Sequence, residues 1–98
     1  MLSQITYILE YPQNVNNIFN INIMTLDEFV KEFAYQFDDT EPEEIEATTE
    51  FHELEEWSSM IALSVMNMTE KKCGKNISFD DMKAAVTVED LYNTIQAK

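Results

Sequence analysis

Only one glycine and two prolines occur in these 98 residues, so the chain has little material for the tight turns that join hairpin strands. Helices are expected instead, and the sequence punctuates itself accordingly. Thr25 stands three residues before Glu28, Ser78 three before Asp81 and Thr87 three before Asp90. The first pair has the form of a capping box, and the other two resemble it with a shorter acid. In each, a hydroxyl can accept from an otherwise orphan backbone N–H while the acid favours the positive end of the helix.

Apolar spacing fills in the bodies of these helices. Leu26, Phe29, Val30, Phe33 and Phe37 recur at helical intervals after the first cap, and Val88, Leu91, Tyr92 and Ile95 after the last. A longer central helix is expected from about Ser59 to Lys72, with Ala62, Val65, Met66, Thr69 and Cys73 on the spacing of the first stripe and facing it. Met60, Leu63, Ser64, Asn67, Glu70 and Lys71 then point elsewhere. Gly74 suits a left-handed cap at its end. The segment "SFDDMKAA" has room for only a turn or two. Between the first two helices lies a long loop, Asp38 to about Trp57, a length that calls for pinning side chains or a function. Ile45, Phe51 and Leu54 are the expected pins. The chain is thus expected to be all-α, with four helices, a long loop between helices 1 and 2 and a short third helix. Residues 1–23 differ in composition, with one charge and many asparagines. The compact domain is therefore expected to span 24–98, with 1–23 as an N-terminal extension.

Charge and chemistry narrow the function. Nineteen acidic against six basic side chains give a formal charge of −13, which repels nucleic acid and anionic membrane surfaces and favours basic protein partners. No apolar run approaches membrane-spanning length, so membrane insertion is not expected. One cysteine and one histidine allow neither an internal disulfide nor a Cys/His zinc cage, which fits a reducing, cytoplasmic setting. No D-x-D-x-D-G calcium loop occurs. A Ser59/His52 hydrolase is a poor fit, because there is no G-x-S-x-G elbow and no acid placed to orient His52; His52 is expected to be an exposed loop side chain. In "EEWSSM", Ser58 as helix cap leaves Ile61 at the third helical position. This helix therefore lacks the capping acid of the other three, and a positive helix end without an acid suits a phosphate.

The stretch from Thr49 to Ile95 resembles the acyl carrier protein family, in which a loop phenylalanine and leucine precede an Asp-Ser-Leu motif, often with a tryptophan directly before it. Phe51 and Leu54 match the loop pair, Trp57 the tryptophan, and Ser58-Ser59-Met60 the motif. Continuing without a gap, Cys73-Gly74 falls on the usual Phe-Gly, Ile77 on the usual isoleucine, and "TVEDLYNTI" on the last helix. The frame selects Ser59 as the motif serine, since choosing Ser58 would put polar Ser59 at the leucine position. The resemblance covers Met24 to Lys98. It implies a four-helix carrier bundle, not an enzyme, with 4′-phosphopantetheine transferred from coenzyme A to Ser59 by a phosphopantetheinyl transferase. The arm would carry acyl or ketide thioesters for a specialised lipid or polyketide pathway, in preference to housekeeping fatty acid biosynthesis. Glu53, Glu55, Glu56, Met60, Leu63 and Glu70 would dock acyltransferase or ketosynthase-type enzymes through their basic patches, and the carrier would be a monomer. Ser58 replaces the family's aspartate, Met60 its leucine and Cys73 its phenylalanine, while Ile61 and Ser64 occupy partner-face positions that are often acidic. These departures sustain an alternative, an unmodified acidic helical adaptor or inhibitor.

Overall fold

A computed structural model describes residues 24–98; the N-terminal extension expected over 1–23 lies outside the described residues. Four α-helices follow one another, α1 Leu26–Ala34, α2 Ser59–Cys73, α3 Phe79–Ala84 and α4 Val88–Gln96. The described part is all-α, without a β-strand, and the only strand-like pairing among the described residues is the bridge between Glu50 and Thr87.

Each helix starts as its local sequence dictates. Thr25, Ser78 and Thr87 all form complete capping boxes, with hydroxyl and acid each accepting from the other's backbone N–H. Aspartate therefore closes the box at α3 and α4 as glutamate does at α1. Gly74 ends α2 at φ 69° and ψ 20°, the left-handed conformation that a side chain would strain.

The apolar stripes meet in one core. Phe29, Phe33 and Phe37 from α1 and the turn after it are buried, as are Val88, Leu91 and Ile95 from α4. Burying each of the larger side chains stabilises the fold by about 1.5–3 kcal/mol. The central helix buries more than one stripe. Ala62, Val65, Thr69 and Cys73 are buried as expected and Met66 is half-buried, but Ile61 and Met68 are buried too. Ile61, at 9% exposure, is a core residue and not part of a partner face. Thr69 is the one polar member of the core among the described residues, and its hydroxyl donates to Val65 O at 2.9 Å, so its burial leaves no donor orphaned. The Cys73 thiol is 1% exposed. Its burial pushes it above the ordinary thiol range, with Lys75 opposing and Glu32 adding to the shift.

The loop between α1 and α2 is organised by two 3₁₀ turns, Pro42–Glu44 and Phe51–Glu53. Ile45 and Phe51 are buried pins, and Leu54 packs half-buried against the core. Loop backbone also satisfies the start of α4, where Val88 N–H donates to Thr49 O and Glu89 N–H to Ala47 O. Four first-turn N–H groups of any helix need such partners. Tyr92 of α4 donates its hydroxyl to Met24 O, fixing the first described residue to the last helix.

Candidate functional site

The two adjacent serines at the head of α2 have different jobs. Ser58 is extended, at φ −156° and ψ 172°, and its hydroxyl accepts the Ile61 N–H at 3.3 Å. It is the N-cap. Ser59 is the first helical residue and is exposed. No acid occupies the first turn of α2, unlike the other three helices. The positive end of a 15-residue helix thus opens beside an exposed hydroxyl, an arrangement that favours a negatively charged group on or near that oxygen.

Two surfaces flank Ser59. On one side, Met60 is 78% exposed and Leu63 49%, large apolar side chains that no described residue covers. On the other, a mainly apolar groove of about 240 Å³ runs between α2 and α3, bordered by Trp57, Ala62, Phe79, Met82, His52 and Lys83. Trp57 is held by the core aromatics. Its ring stacks with Phe33 at 6.2 Å and meets Phe51 edge-on at 4.8 Å between centroids. The residue preceding the cap is therefore fixed by side-chain packing.

His52 is exposed, as its loop position suggests, but it is not idle. Its Nε2–H donates to Met82 O at 2.9 Å and Ala85 O at 3.1 Å, while its ring packs against Phe51 at 4.3 Å. It thereby satisfies carbonyls at the C-terminal end of α3, which a six-residue helix leaves without partners. That nitrogen faces α3 carbonyls, so it is not poised to take a proton from Ser59.

The expected docking acids separate into two groups. Glu53, Glu55 and Glu70 are exposed. Glu70 lies ten residues beyond Met60, about 15 Å along the helix. Glu56 differs from the other three, because its carboxylate is engaged inside the molecule. It accepts the N–H groups of Asp38 at 2.7 Å, Asp39 at 3.0 and 3.1 Å and Thr40 at 2.8 Å, and the Thr40 hydroxyl at 2.8 Å. Desolvation raises this carboxyl, but the donors of Thr40, Asp38 and Asp39 together outweigh it and hold the group below the usual glutamate range. Spacing gave no hint of this role, since the partners are backbone amides 16 to 18 residues upstream.

A wider depression of about 510 Å³ is lined by Asp39, Glu44, Glu55, Glu56, Thr40 and Leu54. It lies over this loop and not at Ser59. Among the described residues, no three His, Cys, Asp or Glu side chains are grouped to hold a metal ion, and no helix is long and apolar enough to cross a membrane. In comparison with known proteins, the chain matches no family pattern, no curated sequence and no solved structure.

Proposed function

We propose that the chain is a carrier protein bearing a 4′-phosphopantetheine arm on Ser59, through which it tethers acyl or ketide thioesters. The observation that carries this reading is the division between the two serines. Ser58 supplies the cap, leaving Ser59 exposed in a first turn that holds no acid. In the loading reaction, Ser59 Oγ would attack the pantetheine-side phosphorus of coenzyme A. The new O–P bond replaces the pyrophosphate bond, adenosine bisphosphate leaves, and the serine proton passes to the transferase. No base from this chain is required, in keeping with the engagement of His52 by α3. The protein then supplies attachment and orientation, while the arm's thiol carries the cargo.

The exposed Glu53, Glu55 and Glu70, together with Met60 and Leu63, suit a partner that combines basic groups with an apolar contact. Ser64, Lys71 and Lys72 make the outer face of α2 poorer in acid than the rest of the molecule. That favours dedicated partner enzymes over those of general fatty acid synthesis. The test is the intact mass of the purified chain after incubation with coenzyme A and a broad-specificity phosphopantetheinyl transferase. A gain of one phosphopantetheine, lost in Ser59→Ala, supports the carrier. An unchanged mass rejects it in favour of the unmodified adaptor, the reading that Ser58 in place of the family's aspartate keeps in view.

A further inference from the structure

Glu56 stands three residues before Ser59, where the loop turns into α2. Its carboxylate gathers three successive backbone amides, those of Asp38, Asp39 and Thr40, with the Thr40 hydroxyl as a further donor. Successive N–H groups turned toward one point form a nest for an anion, and here the anion is part of the chain. The nest begins directly after Phe37, the buried aromatic that follows α1. The carboxylate is therefore bound to the loop that follows α1, just beyond its last buried aromatic. On its other side, the Trp57 ring is fixed by Phe33 and Phe51, and its backbone N–H donates to Leu54 O at 3.0 Å. Only the extended Ser58 separates Trp57 from Ser59.

We infer that Glu56 is a positioning residue for Ser59, its carboxylate tying the lead-in of α2 to the segment 38–40 that follows α1 so that the Ser59 hydroxyl is presented in one place. This rests on the reading of Ser59 as the attachment point. The position demands a carboxylate of this length. Oε1 accepts from Asp39, Thr40 and the Thr40 hydroxyl, and Oε2 from Asp38 and Asp39. Glutamine would turn an NH₂ group against some of these donors, and aspartate falls one methylene short.

The experiment compares full-length Glu56→Gln and Glu56→Asp with Thr25→Ala, which removes a cap at the far end of α1 and so lowers stability without touching the nest. Backbone amide spectra are recorded alongside the rate of phosphopantetheine loading by a broad-specificity transferase. Glu56→Gln is expected to move the amide signals of Ser58, Ser59 and Ile61 as well as those of residues 38–40. It should lower kcat/KM for loading at least about tenfold, in line with the sensitivity of transfer reactions to small misplacements. Glu56→Asp should fall between Glu56→Gln and the parent and stands in for Glu56→Gln if that chain does not fold. Thr25→Ala should lose melting temperature and keep its loading rate. Unmoved amides at 58–61, or equal loss of loading in Thr25→Ala, would overturn the inference. A parent chain that is never loaded rejects the carrier reading, and the amide shifts then decide by themselves whether Glu56 governs the position of Ser59.

Discussion

Replacing Ser58 and Ser59 one at a time separates helix capping from attachment. The Ser58 hydroxyl accepts a single N–H, that of Ile61, at 3.3 Å. That is slightly longer than the 3.1 Å cap bonds of Thr25, Ser78 and Thr87, and no acid returns a bond to the Ser58 backbone. Losing a cap costs about 1 kcal/mol on average, and the long, unreciprocated bond places Ser58→Ala at or slightly below that figure. For a domain of this size, about 1 kcal/mol corresponds to a drop in Tm of roughly 4–8 °C. Ser59→Ala puts a good helix former at an exposed first-turn position, and surface changes of that kind stay within about 0.5 kcal/mol. Thermal melting by circular dichroism and intact mass after transferase treatment are read on the parent and both variants. Ser58→Ala should melt several degrees lower and still gain phosphopantetheine. Ser59→Ala should melt with the parent and gain none. Attachment that survives Ser59→Ala and disappears in Ser58→Ala would refute the assignment of the two hydroxyls. A Ser58→Ala chain as stable as the parent would refute the cap argument.

The 24–98 fragment should melt cooperatively, because Phe29, Phe33, Phe51, Val65, Leu91 and Ile95 already form one core within it; a gradual, non-cooperative melt by circular dichroism would contradict that. Added salt or magnesium should raise Tm at neutral pH by screening the charge of −13, and an unchanged Tm would count against self-repulsion. Among the described residues, three carboxyls are held below their ordinary range: Glu56, where its donors outweigh desolvation, and Asp81 and Asp90, chiefly through the N–H groups of Ser78 and Thr87. Their contribution is present above the unfolded carboxylate values of about 4 and is lost as pH falls through the lower folded values. In high salt, Tm should therefore decline on acidification below about pH 4, and Glu56→Gln should flatten part of that decline. Phe51→Ala should cost about 3–5 kcal/mol, the usual penalty for emptying a buried aromatic site, and urea titration measures it directly.

What the sequence discloses here is what is local. Thr25 and Glu28, Ser78 and Asp81, and Thr87 and Asp90 lie three apart, so each box is visible without knowing the fold, as is the left-handed glycine after α2. The pins Ile45 and Phe51 are visible because apolar side chains in an acidic loop have few places to go. Glu56 looks like its exposed neighbours Glu53 and Glu55, since its partners are main-chain amides, which carry no residue signature. His52 could not be assigned before α3 was known to end beside it. Ile61 and Met68 were missed because one helical stripe assumes one packed side. A helix set between α1 on one flank and the loop and α3 on the other buries a wider arc. Ser59 becomes the first helical residue once Ser58 is the cap, and its exposure follows from that position at the head of α2.

Cys73 carries the chain's only sulfhydryl, and it is sealed in the core with its thiol held protonated by burial. The folded polypeptide therefore offers no accessible thiol of its own. Maleimide uptake or air-formed disulfide dimers under native conditions would point to a thiol other than Cys73, such as that of the proposed arm on Ser59. If Ser59 bears the proposed arm, a colorimetric thiol titration of the folded protein would count the free arm thiols, and the further rise on denaturation, from Cys73, would count chains.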